Sequence, residues 1–304
     1  MAKAIGLRVY KLSVVERGNP TKKVNLTDSG LHQPFYKFID SFISNATQAK
    51  SVESTERTWF FDKSENSKEL EQFGQVNYGT YGFESNFKNN QTKALNYRRK
   101  TSDVEEIPLY FRFSLPAKQQ YGFAVFQSFQ GRSCVSIVLD DMREAFQAEN
   151  PEYSIRAQKL MPNDASGSIY NTAAVKRLKL ITRNTFSDLA DTNRGEKPEG
   201  VDVELSISAR RSKSLGTLGK ISKALKQDGI LVYNGMEFDE AVAQVRVGKK
   251  VRPVGLFGDH SNAGVIDITE SVDWGDDGHP TMASVDREAI LILGDFLSRV
   301  SGKR

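Results

Sequence analysis

The sequence predicts an α+β protein with mixed, largely antiparallel sheets, a few amphipathic helices and two domains. Strand-like alternation recurs along the whole chain, whereas helical spacing of apolar residues is confined to a few segments. A chain of 304 residues exceeds the size at which one hydrophobic core is usual, and 38% hydrophobic residues suffice for a globular fold. We therefore expect an N-terminal α+β domain at 1–165 and a C-terminal α+β domain at 166–304.

The N-terminal domain is predicted to begin with a strand at 5–15, which carries β-branched residues. An amphipathic helix follows Pro34, because apolar residues recur at helical spacing from Phe35 to Ile43. The remaining elements expected in this domain are strands at 58–62, 74–87, 107–115, 121–129, 134–139 and 153–160, and a helix at 140–149.

The C-terminal domain is predicted to follow a small, polar segment at 163–168. Residues 201–209 alternate apolar and polar side chains, as a half-buried strand does. Helices are expected at 215–225 and 284–300, and further strands at 175–182, 229–233, 242–247, 252–257 and 264–272.

The distribution of charge changes sign in the last third of the chain. Residues 206–252 contain ten basic and four acidic side chains, whereas residues 259–295 contain nine acidic side chains and one arginine. The net charge of the whole chain is only +4, so it conceals two opposite local charges. A dense basic block is typical of a surface that binds a polyanion. The alternatives are two solvated faces, or pairing of the two segments across a homodimer.

Double-stranded DNA is the predicted partner of the basic block. In the helix at 215–225, Lys220, Lys223 and Lys226 lie beside an apolar face formed by Leu218, Ile221 and Leu225. The predicted contacts in this block are Arg210, Arg211, Lys213, Lys220, Lys223, Lys226, Lys249, Lys250 and Arg252.

A second contact is predicted in residues 78–100, where aromatic residues alternate with cations and Glu84 is the only acid. Aromatic rings can stack on bases while basic side chains follow phosphates. The cations expected to bind are Arg98, Arg99 and Lys100. The alternative is a strand pair whose aromatic residues face the core.

Candidate catalytic residues are few. The three histidines have no metal-ligand spacing, and the single cysteine, Cys134, is expected to be a buried structural thiol in a reducing, cytoplasmic compartment. The best enzymatic candidate is a Mg²⁺-dependent nuclease that uses Asp259, Asp267 and Glu270. Because no lysine completes that site, an acidic surface loop is the preferred interpretation, and we expect no catalytic residue, cofactor or metal.

The sequence predicts no membrane span and no signal peptide. The apolar runs are too short to span a bilayer, and the N-terminus is predicted to form a strand.

The order of motifs resembles a family of phage-exclusion proteins. Ile107-Pro-Leu-Tyr-Phe is followed by Gly122-Phe-Ala-Val-Phe-Gln and a helix, and Leu160-Met-Pro is followed by Arg177-Leu-Lys-Leu and a lysine-rich helix. This pattern resembles proteins of the lambda RexA type and, more distantly, the DNA-binding component of the Kiwa anti-phage system. The resemblance implies a cytoplasmic, non-enzymatic homodimer that binds DNA with little sequence preference in abortive infection, beside a membrane-protein partner. The third hypothesis, besides DNA binding and nuclease activity, is an interaction module that binds no nucleic acid.

Overall fold

A computed structural model describes residues 4–28, 30–116, 119–160, 169–182, 203–225, 231–233, 236–247, 250–257 and 264–297. The strands are β1 (Ile5–Glu16), β2 (Asn19–Lys23), β3 (Lys50–Val52), β4 (Arg57–Lys63), β5 (Glu71–Thr80), β6 (Ser85–Lys88), β7 (Leu95–Arg99), β8 (Glu105–Ser114), β9 (Gly122–Phe129), β10 (Arg132–Ser133), β11 (Tyr153–Leu160), β12 (Ala174–Thr182), β13 (Val203–Ser208), β14 (Leu231–Tyr233), β15 (Met236–Phe238), β16 (Glu240–Val247), β17 (Lys250–Phe257) and β18 (Ile266–Asp267). The α-helices are α1 (Phe35–Asn45), α2 (Val135–Glu149), α3 (Ile169–Thr172), α4 (Leu218–Leu225) and α5 (Met282–Leu297). The predicted α+β class with antiparallel strand pairing is confirmed.

The chain divides into two compact units. The N-terminal unit contains Tyr10–Gln158 and Val272–Ala289, and the C-terminal unit contains Met1–Val9, Lys159–Ser271 and Ile290–Arg304. The division between Gln158 and Lys159 lies near the boundary expected after residue 165. The sequence analysis did not predict that the first nine residues belong to the C-terminal unit and Val272–Ala289 to the N-terminal unit. These assignments depend on which strands and helices pack together.

The N-terminal unit is built on strands in the order β1-β9-β8-β5-β4-β3, with β2 beside β1 and β10 beside β9. All eight residues of β9 are buried. Phe38 of helix α1 packs against Phe146 of α2, with ring centroids 5.0 Å apart. The ring centroids of Phe61 and Phe111 are 4.7 Å apart. Large aromatic side chains therefore fill this core, where each removes a large apolar area from water.

The predicted strand at 134–139 is wrong, because helix α2 begins at Val135. Its buried residues are Val135, Val138, Leu139, Met142 and Phe146, which form one stripe at helical spacing. A short apolar run fits both a strand and the first turns of a helix. The buried residues farther along the chain, which continue the same stripe, decide in favour of the helix.

The C-terminal unit has strands in the order β13-β12-β16-β17-β18, followed by the first residues of β1. Val175, Leu178 and Leu180 of β12 are buried, and they pair with Val245, Ala243 and Ala241 of β16, which are also buried. The inner face of this sheet is therefore apolar, and the alternate residues of β12 and β16 lie on the outer face.

The strand expected at 264–272 is much shorter than predicted. Only Ile266–Asp267 forms a strand, and a 3₁₀ turn follows at Thr269–Ser271. Asp267 Oδ1 accepts a hydrogen bond from Thr269 N–H at 2.8 Å. An aspartate that bonds the backbone two residues ahead stabilises a turn in place of the strand ladder.

Candidate nucleic-acid interface

Basic side chains gather at one end of the sheet of the C-terminal unit. Arg177 at the start of β12 is exposed, and its Nε donates to Ser208 Oγ at the end of β13. Arg246 near the end of β16 is exposed and pairs in register with Ala174. Since β12 is antiparallel to both neighbours, its first residues lie beside the last residues of β13 and β16.

The connection from β13 to α4 brings three more cations to the same place. Lys213 N–H donates to Arg210 O at 2.9 Å and closes a tight turn, in which Arg210, Arg211 and Lys213 are all exposed. The turn is fastened to β12, since Ala209 N–H donates to Lys176 O and the Lys176 ammonium donates to Lys213 O at 2.5 Å. Backbone and side-chain bonds thus fix this turn to the strand.

Two glycines set the course of the chain into α4. Gly216 adopts a φ of 129°, a region that favours glycine. A Cβ on Gly219 would lie 1.6 Å from Asn171 Oδ1 of α3, so a larger residue would have to displace the Asn171 side chain. Gly216 therefore lies just before the helix, and Gly219 lies in its first turn against α3. The helix itself begins at Leu218, three residues later than predicted.

Helix α4 adds two lysines to this end of the unit. Leu218, Ser222 and Leu225 are buried, and Lys220 and Lys223 are exposed. Ile221, expected on the apolar face, is half-buried. Helix α4 begins one residue after Thr217, which forms an isolated bridge with Ala174 of β12.

We call this set the basic surface; its members are Lys176, Arg177, Arg210, Arg211, Lys213, Lys220, Lys223 and Arg246. None of these cations forms an ion pair with a carboxylate of the described residues, and the bonds of Lys176 and Arg177 go to a carbonyl and a hydroxyl. Their neighbour Lys179 differs, because its ammonium lies 2.9 Å from the carboxylate of Glu204.

The sequence analysis missed Lys176 and Arg177, since the basic block was counted from residue 206. Arg177 had a signal in the sequence, since Arg177 and Lys179 alternate with the apolar Leu178 and Leu180 in β12. Only the pairing of β12 with β13 and β16 shows that these cations belong with the block.

Four predicted contacts of the basic block are not members of the basic surface. Arg252 lies on the buried side of β17, opposite Val245, and is only 7% exposed, so it is not part of a contact surface. Lys226 and Lys249 lie outside the described residues. Lys250 begins β17, but its side chain is likewise not described.

The predicted second contact, Arg98 to Lys100, lies in the N-terminal unit on the hairpin of β6 and β7. Arg98 is exposed and pairs with Glu84 at 2.9 Å, and Lys100 is exposed. Arg99 is 2% exposed, and its guanidinium donates to the carbonyl oxygens of Asp103 and Thr80. The expectation that Arg99 contacts a ligand is therefore corrected, because its donors already bind the protein.

The acidic candidates do not form a metal centre among the residues that the structure describes. Asp267 caps a turn, Glu270 is exposed, and Asp259 lies outside the described ranges. Within those ranges, no group of three or more His, Cys, Asp or Glu side chains is arranged to hold a metal ion.

Several other acids of residues 259–295 have structural partners. Asp286 Oδ1 accepts from Arg112 Nη1 and from the Tyr110 hydroxyl, each at 2.6 Å, and Asp273 pairs with Arg287 at 3.3 Å. Part of the negative charge of residues 259–295 is therefore neutralised by ion pairs and hydrogen bonds within the N-terminal unit.

Cys134 is fully buried, and burial raises the pKa of its thiol to about 12. A thiol that stays protonated at neutral pH is a poor nucleophile. His279 stacks near Phe129 with ring centroids 4.9 Å apart, His32 is exposed, and His260 is not described.

A cavity of about 870 Å³ lies in the N-terminal unit beside the start of α2. Three of its five charged lining residues, Lys50, Asp141 and Arg57, already bond to other lining residues. The Lys50 ammonium lies 2.7 Å from Asp141 Oδ2, and Arg57 Nε donates to the Tyr78 hydroxyl at 2.8 Å. The basic surface is therefore the better candidate site.

Comparison with known proteins gives no family: no family model matches the sequence, and no curated protein matches it. In the described part of the chain, no helix is both long enough and apolar enough to cross a lipid bilayer.

Proposed function

We propose that this protein is a cytoplasmic protein that binds double-stranded DNA with little sequence preference, through the basic surface of its C-terminal unit. One observation carries the proposal. Eight cations from two strands, a turn and a helix lie at one end of the sheet, and no described carboxylate pairs with them.

Such a cluster is unfavourable in the isolated protein, because like charges repel and receive no compensation from nearby acids. A polyanion relieves the repulsion, and release of its condensed counterions supplies favourable free energy. Arginine adds paired donors that match a phosphate group, and flexible lysines such as Lys220 and Lys223 supply mobile point charges. The surface therefore has the chemistry of a phosphate-backbone contact.

Contacts with phosphates position a protein on DNA but carry no sequence information. The exposed basic side chains of this surface are such contacts, and this supports binding that tolerates sequence. The resemblance to phage-exclusion proteins adds a role in phage exclusion or anti-phage defence, as a homodimer beside a membrane-protein partner.

The test is a titration of the purified protein into two labelled duplexes of unrelated sequence, at salt concentrations from about 50 to 200 mM. We expect similar affinities for the two duplexes and a slope of log affinity against log salt of about −0.9 for each phosphate contacted. Affinity that does not change over this range of salt would contradict the proposal, and a large difference between the duplexes would contradict its sequence tolerance.

A further inference from the structure

A small hairpin in the N-terminal unit carries a second, chemically different surface. Strands β6 and β7 pair only with each other, in a two-stranded sheet. Phe83 before the hairpin and Phe87, Leu95 and Tyr97 within it are 49%, 47%, 58% and 51% exposed. Large apolar side chains gathered on one exposed element mark an interaction site more often than a solvated surface.

The central feature of this hairpin is a pair of aromatic rings. Phe87 and Tyr97 are directly opposite in the register of β6 and β7, so their side chains lie on one face. Their ring centroids are 6.2 Å apart with planes inclined by 35°. About half of each side chain remains accessible, so the pair presents aromatic area to solvent.

An isolated two-stranded hairpin is only marginally stable in water. Here, contacts at the end where the chain enters and leaves the hairpin hold it in place. The buried Arg99 guanidinium lies over the Phe83 ring, 4.2 Å from its centroid, and donates to Thr80 O. The Tyr97 hydroxyl donates to Asp103 Oδ2, which also accepts from Lys100 N–H at 2.7 Å. These bonds fix the orientation of the Tyr97 ring before any ligand arrives, which lowers the entropic cost of binding.

Basic side chains outnumber acidic ones around the ring pair. Lys88, Lys93, Arg98 and Lys100 are all exposed, and the hairpin residues from 85 to 100 contain no acid. Lys93 reaches the carbonyl of Asn90 at 2.7 Å, and only Arg98 pairs with a described carboxylate. The hairpin therefore combines exposed aromatic faces with positive charge, the two components with which proteins hold single-stranded nucleic acid.

We propose that this hairpin binds single-stranded DNA, with an unpaired base stacked on the Phe87–Tyr97 pair and the neighbouring phosphates beside Lys93 and Lys100. In a duplex the bases stack on one another and cannot stack on the two rings. An unpaired base has an accessible face that can stack on them. An apolar protein surface would contact the rings but would leave the lysines around them without an opposite charge. The site shares no residue with the basic surface, so it stands even if duplex binding does not.

The experiment uses the full chain with two oligonucleotides of equal length, a thymidine homopolymer and a strand of abasic sites with the same phosphates. Stacking on one base contributes about 1–3 kcal/mol, so we expect the homopolymer to bind at least about fivefold more tightly. Phe87→Leu keeps the apolar bulk and removes the ring, and should abolish most of that difference. Phe87→Trp should retain it, with indole fluorescence quenched on binding.

Lys220→Glu combined with Lys223→Glu is the control for the basic surface, and it should leave the difference between the oligonucleotides unchanged. Equal affinity for the two oligonucleotides, no binding of either, or an unchanged difference in Phe87→Leu would overturn the proposal. Thermal unfolding of Phe87→Leu should match that of the original protein, since this side chain is half exposed. If Phe87→Leu alters self-association but not oligonucleotide binding, the hairpin is a contact between copies of the chain, and the proposal is wrong.

Discussion

Arg112 in the N-terminal unit and Arg177 on the basic surface carry the same charge in opposite surroundings. The side chain of Arg112 is 10% exposed, and its guanidinium contacts Asp286 at 2.6 Å and Glu71 at 2.5 Å. Arg177 is exposed and bonds only a serine hydroxyl among the described residues. The first cation is neutralised inside its unit, whereas the second remains available to a ligand.

This difference shows why a count of basic residues does not identify a binding surface. A buried cation without a partner is strongly destabilising, so the fold must supply one. An exposed cation is hydrated and needs no partner, so its charge stays free for phosphate.

The largest effect is expected from Asp286→Ala. The change leaves Arg112 Nη1 and the Tyr110 hydroxyl without their shared acceptor in a largely buried site. We expect the free energy of unfolding to fall by about 2–4 kcal/mol, as measured by urea denaturation.

The matched control is Asp276→Ala, since Asp276 is exposed and has no side-chain partner among the described residues. This change should alter stability by less than about 0.5 kcal/mol. DNA affinity of the folded protein should stay the same in both variants. Equal stability of the two variants would show that the Arg112 network contributes nothing to the fold.

The next effect concerns the free cations. Lys220→Glu combined with Lys223→Glu should weaken duplex binding about 10- to 100-fold at low salt, because two phosphate contacts become repulsive. The salt slope should become shallower by about 0.9 for each lysine lost. Both side chains are exposed, so the thermal midpoint should change little.

The charge-matched control is Lys37→Glu combined with Lys68→Glu in the N-terminal unit, where both lysines are exposed. It changes the net charge equally and should retain most of the affinity. If both double variants weaken binding to the same extent, total charge and not the basic surface determines affinity.

A smaller effect is expected at high pH from Tyr110. Burial raises the pKa of Tyr110 above its ordinary value, and the hydrogen bond to Asp286 raises it further. Above about pH 10 the unfolded chain loses this proton while the folded protein keeps it, so stability falls by about 1.4 kcal/mol for each further pH unit. Tyr110→Phe removes this contribution, and its urea midpoint should fall less steeply between about pH 10 and 11. Parallel curves for the two proteins would contradict the assignment.

No effect on DNA integrity is expected from Asp267→Asn. The amide oxygen of asparagine can still accept from Thr269 N–H, so the turn should persist. Plasmid DNA should remain intact with Mg²⁺ or Mn²⁺ in both the original protein and the variant. Metal-dependent nicking that disappears in Asp267→Asn would favour the nuclease hypothesis over the binding proposal.

The sequence alone determined the α+β class, most strands, the helices at α1, α4 and α5, and the basic block from Arg210 to Lys223. These features are local, since periodicity and turn chemistry depend on neighbouring residues. It misassigned the start of α2, because Val135 to Leu139 is too short a run to distinguish a strand from a helix until Met142 and Phe146 complete the buried stripe.

Only the tertiary structure decided which charges are free. Arg98 and Arg99 are adjacent in the sequence and in β7, where successive residues point to opposite sides. Arg98 therefore lies in solvent, whereas the Arg99 guanidinium packs against the Phe83 ring. The pairing of β12 with β13 and β16 likewise joins Arg177 and Arg246 to a turn more than thirty residues away from either. Burial and pairing arise from contacts distant in sequence, and those contacts determine whether a cation neutralises an internal acid or faces a ligand.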